Sequence, residues 1–245
     1  MSGKRARADV VLVERGHFDS RARAQEAIAA GLVSVDGRVL RKASETIADG
    51  AAITAEQPHP WVSRGGVKLA AALEAFGVTP AGRLCLDVGS STGGFSQVLL
   101  SQGAAGIIAV DTGRDQFHAS LRGDARVTLM EGTDMRRLTP GDLPAIPDLA
   151  VIDVSFISLA LVLPAAAALL APKAELVALV KPQFEVGRAH VGKNGIVTDE
   201  AARDAAILRV RGEAEQLGWR ITGQIDSPIA GGDGNREVLI HGVRP

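Results

Sequence analysis

The apolar positions change rhythm along the chain. Residues 83–88, 107–111, 126–130, 148–153 and 175–181 are short, near-continuous apolar runs, each read as a strand buried on both faces. Between or beyond them lie stretches with helical spacing: 95–102, the brief 118–122, the long 158–170, and 200–217. Alternation of this kind predicts a parallel, doubly wound α/β sheet of Rossmann-like type. Two further strands, 220–226 and 236–241, are joined by a short Gly-rich link and are expected to pair antiparallel at the sheet's end. No element is assigned to residues 65–82.

The first 58 residues follow a different plan and predict a small N-terminal α/β domain. A short helix over 7–15 stops at Gly16; Ser20 is placed to cap a second helix over 21–30, which Gly31 ends. Residues 32–40 form a predicted hairpin about Asp36-Gly37, and Asp49-Gly50 turns the chain into a strand over 51–55. Pro58 and Pro60 forbid a continuing helix. The division expected is a module over 1–58, a linker over 59–64 and a larger domain over 65–245.

Composition narrows the class. The chain is 46% hydrophobic and 22% charged, which suits a packed core, but only 3% aromatic with no Tyr, so that core must be aliphatic. Cys85 stands alone, which excludes an intrachain disulfide framework or a C-x-x-C zinc site and points to a reducing cytoplasm. The basic start, Met1 to Asp9, has no apolar segment after it, and the apolar run 159–172 is short and contains Pro164, so neither a secretory signal nor a membrane span is expected. The net charge of −1 hides an asymmetry: residues 1–42 hold 9 basic and 5 acidic side chains. That excess suggests a polyanion partner, with a merely solvated surface as the alternative.

The strongest local motif is the strand end Asp87-Val-Gly89-Ser90-Ser91-Thr92-Gly93-Gly94-Phe95. In a doubly wound sheet, ligands sit beyond the carboxyl ends of the strands, and glycines allow close backbone approach. A dinucleotide site would show G-x-G-x-x-G at a helix start. This loop departs from that pattern, and the acid Asp87 would repel a pyrophosphate but suits an ammonium. Asp111, ending the next strand, could accept two ribose hydroxyls, and Asp134, after the third, could meet an exocyclic amine. S-adenosylmethionine has all three groups and no phosphate.

Two resemblances sharpen this reading. Arg7-Ala-Asp9, Leu12, Gly16, Ser20-Arg21, Ala24, Ile28, Gly31, Val33, Val35 and Gly37 resemble the S-four RNA-binding domain, named for a ribosomal protein. That resemblance implies an RNA-gripping surface carrying Arg21, Arg23, Arg38, Arg41 and Lys42, which would neutralise phosphates without reading base edges. The wider chain resembles the FtsJ-like ribose 2′-O-methyltransferases and, more closely, the TlyA family. The motifs are Arg64-Gly-Gly-Val-Lys68-Leu69, the loop 87–95, Asp111 with Gly113 and Gln116, Asp153-Val-Ser155-Phe156-Ile157-Ser158-Leu159, Lys181-Pro-Gln183-Phe184-Glu185 and Gly234-Asn-Arg-Glu237. The resemblance implies S-adenosylmethionine as cofactor, ribosomal RNA as partner and the catalytic set Lys68, Asp153, Lys181 and Glu237. Asp134 departs from the Asn common in related sequences, though either side chain accepts from adenine. The short form of the family, without a further helix after the last strand, implies methylation of 23S rRNA in the 50S subunit rather than of 16S rRNA.

The chemistry explains such a set. A 2′-hydroxyl is a poor nucleophile until its proton is taken, whereas a sulfonium methyl is already activated, so a base and in-line positioning are needed and no metal is. Lys181 is the expected proton acceptor, with Lys68 nearby, Asp153 orienting it and Glu237 holding Lys68 or the ribose. Phe156 would stack on a flipped cytidine or else pack in the core, and Gln183 and Phe184 carry the same two readings. Arg64 is expected to touch RNA. The rivals are an RNA- or ribosome-binding protein with a vestigial fold, a haemolysin-like pore former, and a nicotinamide-dependent oxidoreductase.

Overall fold

The computed structural model describes residues 5–245 and divides the chain between Pro60 and Trp61. Residues 1–4, part of the basic N-terminal stretch, lie outside the described residues.

In the first unit, strand β1 (Arg5–Arg7) leads into α1 (Ala8–Glu14), followed by α2 (Arg21–Ala29). Ser20 caps α2 as expected, its hydroxyl accepting from the Arg23 backbone N–H. Strands β2 (Val33–Val35) and β3 (Arg38–Val39) form the hairpin, and Asp36 and Gly37 take φ of 49° and 79°, the pair of left-handed conformations a two-residue turn demands. Next come β4 (Thr46–Ala48) and β5 (Ile53–Ala55). The sheet order is β3-β2-β5, all antiparallel, while β1 pairs separately with β4. Strand β1 was not expected: its partner lies some forty positions away, and Arg-Ala-Arg carries no alternating pattern to announce it. Ala8, Leu12, Phe18, Ala24, Ile28, Val33, Leu40 and Ile47 fill this unit's core.

The second unit opens with α3 (Arg64–Phe76), which ends on Gly77 in the left-handed conformation, φ 67°. Its start, Arg64-Gly65-Gly66, has poor helix propensity, yet the second glycine is required by packing. A Cβ on Gly66 would collide with the Trp61 side chain, and one on Gly65 would lie 3.4 Å from the Phe95 ring.

The sheet then builds as β6 (Leu84–Val88), α4 (Gly94–Ser101), β7 (Gly106–Asp111), α5 (Ala119–Arg122), β8 (Val127–Glu131) and β9 (Leu149–Ile152). A 3-10 turn (Leu159–Leu161) and α6 (Leu163–Leu169) occupy the predicted long helix. Pro164 at the start of α6 lacks the N–H that a continuous helix from 158 would need. Then follow β10 (Ala174–Val180), α7 (Pro182–Glu185), α8 (Glu200–Gln216), β11 (Arg220–Asp226) and β12 (Val238–Arg244).

The seven strands lie in the order β11-β12-β10-β9-β6-β7-β8. β10-β9-β6-β7-β8 are mutually parallel, and β12 is antiparallel to both β10 and β11. The expected antiparallel pair is present, but its last strand runs to Arg244 instead of ending at His241, because residues 242–244 pair with Leu176, Glu175 and Ala174. Two apolar clusters cover the two faces. One packs around Leu86, Ile108, Ile152 and Leu176 with Trp219, and the other around Cys85, Leu99, Ile107 and Leu149 with Phe95 and Phe117. The order reverses between β6 and β9, and there the strand ends open a crevice.

Candidate active site

β6 delivers the chain to Gly89, whose φ is 81° and whose Cβ, if present, would collide with the Asp153 carbonyl oxygen. Only glycine lets the ends of β6 and β9 close to this distance, and Asp153 N–H donates to the Val88 carbonyl at 2.9 Å. Gly93 and Gly94 serve packing. A Cβ on the first would lie 2.7 Å from Leu121 and 2.9 Å from Phe117, and one on the second would strike Ser63 Oγ.

A cavity of about 560 Å³ lies at the strand ends. Gly89, Ser91, Asp111, Asp134 and Asp153 face it, with Val88, Val110, Met135, Ile157 and Val162 as an apolar lining. Asp111 accepts from Ser91 N–H at 2.8 Å and from Gly113 N–H at 2.6 Å. Asp134 accepts three times from Arg136: backbone N–H at 3.1 Å, Nε at 2.9 Å and Nη2 at 2.7 Å. That pairing pulls the Asp134 carboxyl down to about 2. A carboxylate offers about four acceptor sites, so Asp111 keeps about two and Asp134 about one. Free acceptor sites on two carboxylates and an aliphatic lining suit a nucleoside with a vicinal diol and an exocyclic amine. The residues fit an adenosyl group.

Of the other loop residues expected to touch cofactor, Ser90, Thr92, Gly93, Gly94 and Phe95 do not line the cavity, and Phe95 is core. Asp87 does not line the cavity either. Its carboxyl is wholly buried, accepts from Ser96 Oγ at 2.6 Å, and leaves Oδ1 without a partner. Burial pushes its pKa up to about 7, the Ser96 hydrogen bond offsetting part of that. A carboxyl raised in the folded state binds protons that the unfolded chain has released, so its contribution to stability falls as pH rises from about 4 to 7. Asp87→Asn, without added cofactor, is expected to be more stable than the parent above pH 7 by a few kcal/mol, since each tenfold change in proton affinity is worth about 1.4 kcal/mol. The advantage should shrink towards pH 4; denaturant titrations of both proteins across this range measure it, and a pH-independent difference would contradict the burial argument.

The four polar residues fall into two ion pairs on neighbouring strand ends. Lys181 Nζ lies 2.6 Å from Asp153 Oδ1 and donates to Ser155 Oγ at 2.9 Å. Lys68, on α3, is paired with Glu237, and both are buried. Val180 and Val238 are opposite each other in the β10–β12 register, so Lys181 and Glu237 flank the same rung. Each lysine thus meets a carboxylate, not the other lysine. Ser155, whose hydroxyl completes the first pair, is a site residue that its place in the motif does not single out.

Phe156 is not a core residue: it is 91% exposed, with φ of 64°. A bulky side chain in the left-handed region costs about 1–3 kcal/mol and persists where its surroundings over-determine it. Its ring lies 5.2 Å from that of Phe184, tilted at 52°. Gln183 donates to Asp233 at 3.0 Å.

The expected RNA-contacting residues differ in availability. Arg38, Arg41 and Lys42 are exposed; Glu45 holds the Arg38 guanidinium at 2.9 Å and accepts from the backbone N–H groups of Arg41 and Lys42. Arg21 is exposed and anchored on buried Asp9 at 2.8 Å. Arg23 is half-buried and already engaged, donating to Gln57 Oε1 and the His59 carbonyl, each at 2.6 Å. Arg64 donates to the Ala230 carbonyl within the second unit.

Known proteins are similar to this chain in sequence and in fold. Residues 61–244 match the FtsJ-like methyltransferase family and residues 6–53 the S4 domain, the S-four module. The chain is 47% identical to the 16S/23S rRNA (cytidine-2′-O)-methyltransferase TlyA of Mycobacterium tuberculosis, over 97% of this chain and 89% of that protein. It is 39% identical to the 23S rRNA (cytidine-2′-O)-methyltransferase TlyA of Campylobacter jejuni, over 75% and 71% respectively. A solved hemolysin-named protein from Streptococcus thermophilus superposes with a TM-score of 0.79 at 40% identity, covering 98% of this chain and 88% of that one. The fold alone is shared with an S-adenosylmethionine-dependent methyltransferase from Mesorhizobium loti, at a TM-score of 0.51 and 16% identity over 71% and 96% of the two chains. Among the described residues no helix is long and apolar enough to cross a membrane. An S4 domain joined to an FtsJ-like methyltransferase domain, with these relatives across nearly the whole length, places the chain in the TlyA family.

Proposed function

We propose that the protein transfers a methyl group from S-adenosylmethionine to the ribose 2′-oxygen of a cytidine in 23S rRNA, in the cytoplasm, with the S4 domain contributing to the grip on the 50S subunit. The observation that carries this reading is the Asp153–Lys181 pair standing at the rim of a cavity whose acceptors suit an adenosyl group. Asp111 would hold the ribose hydroxyls and Asp134 the adenine amine, as the acceptor count allows. The cofactor supplies a methyl already activated on a sulfonium. The chain's own residues have three tasks: to deprotonate the hydroxyl, to align it and to keep water away.

Lys181, reacting as the neutral amine, is the proton acceptor in this reading. On taking the proton it becomes an ammonium 2.6 Å from the Asp153 carboxylate, so the charge it acquires is met by a group already in place. Ser155 fixes the direction of the amine. Lys68 and Glu237, closed into their own pair beside it, position the ribose from the other side of the rung. Phe156 offers a ring for a base lifted out of its stack, with Arg21, Arg38, Arg41 and Lys42 neutralising phosphate. The 23S target is common to the names of both TlyA relatives, which supports it over 16S.

Two measurements test the reading. Labelled methyl from the cofactor should appear in unmodified 50S subunits, and incorporation confined to 30S subunits would contradict the target. Asp111→Ala should weaken S-adenosylhomocysteine binding by about 1.5–3 kcal/mol, the value of hydrogen bonds to a charged acceptor. An unchanged titration would remove Asp111 from the site.

A further inference from the structure

Glu185 closes α7, and its side chain is 1% exposed. Its Oε2 accepts from Ser158 Oγ at 2.7 Å and its Oε1 from Leu159 N–H at 2.8 Å. Its backbone carbonyl and its carboxylate both face Arg209 on α8, the carboxylate at 3.5 Å. The segment 181–185 is therefore joined to the segment 153–159 at three successive levels. Lys181 meets Asp153 and Ser155, Phe184 meets Phe156, and Glu185 meets Ser158 and Leu159. Between the first and last of these ties sits Phe156, with its left-handed backbone and its ring turned to solvent. A conformation of that kind is held only if both flanks are fixed. Asp153 fixes one flank through Val88 and Lys181; the other has Glu185.

We infer that Glu185 is a positioning residue: it locks the 153–159 loop so that Phe156 and the Asp153–Lys181 pair keep one geometry. The inference rests on the proposed function for its catalytic consequence, but the locking itself is measured without it. Glu185 touches neither substrate nor cofactor and acts through the loop.

The test uses the full-length protein. Amide hydrogen exchange across residues 153–159 should quicken by about ten-fold or more in Glu185→Ala, while β6 and β7 keep parent rates. S-adenosylhomocysteine affinity should stay within about three-fold, and kcat for 50S subunits should fall by about ten-fold or more, since small misplacement of a reacting group is costly. Glu185→Gln should restore most of both, its amide oxygen accepting from Leu159 N–H and its amide nitrogen donating to Ser158 Oγ. Ser158→Ala, which removes one of the two ties, should give an intermediate exchange rate and serves if Glu185→Ala does not fold. Unchanged exchange in the loop, or acceleration spread equally over β6 and β7, would overturn the inference; so would a mobile loop with parent kcat. A parent protein that transfers no methyl would overturn the proposed function, while the exchange data would still decide whether Glu185 locks the loop.

Discussion

Lys181→Ala is expected to lower methyl transfer to ribosomal subunits by about two to four orders of magnitude, the range in which a positioned general base contributes. The same variant should bind S-adenosylhomocysteine within a few fold of the parent. Lys181 contacts Asp153 and Ser155, whereas the acceptors proposed for the adenosyl group are Asp111 and Asp134, tied to other partners. The split between lost turnover and retained binding is the informative part. Single-turnover methylation beside a calorimetric titration measures it. Full turnover in the variant would remove Lys181 from the chemistry, and joint loss of turnover and binding would show that it supports the cavity.

The second large effect concerns stability. Lys68 and Glu237 are both withdrawn from solvent and face each other across the gap between α3 and the start of β12. Lys68→Ala would leave a buried carboxylate without its counter-charge, at a cost of about 3–5 kcal/mol to folding. Replacing both, Lys68→Met with Glu237→Leu, removes the charges together and should cost much less, because burial of an ion pair gains little over apolar packing. Both variants are expected to lose activity. Urea titrations of Lys68→Met, Glu237→Leu and the double give the coupling between the residues. A Lys68→Ala cost below about 1 kcal/mol, the range of exposed pairs, would mean that water reaches the pair.

What could be read from the sequence was local in origin. Ser20 announces a helix start because its side chain has an orphan N–H to satisfy, and Asp36-Gly37 announces a hairpin because both residues tolerate positive φ. Apolar strands buried on both faces show as runs, and the acids that end them are easily seen. Two kinds of feature were hidden. The first depends on distant partners: β1 exists through residues 46–48, and the first turn of α3 holds Gly66, whose value is the space it leaves for Trp61. The second depends on which way a side chain turns. Asp87 reads as a ligand-facing acid but points into the unit towards Ser96, and Arg23 lies on the expected RNA face yet folds back onto Gln57 and His59. Phe156 leaves two readings open because exposure and a left-handed backbone at a phenylalanine leave no mark on composition or spacing.

The central claim is that the Asp153–Lys181 pair serves a cytidine 2′-hydroxyl. Mapping ribose methylation on 23S rRNA after incubation of unmodified 50S subunits with protein and cofactor tests it most directly. A new 2′-O-methylated cytidine is expected with the parent protein and none at that position with Lys181→Ala. Methyl groups found only on bases, or a ribose mark that Lys181→Ala installs equally well, would contradict it.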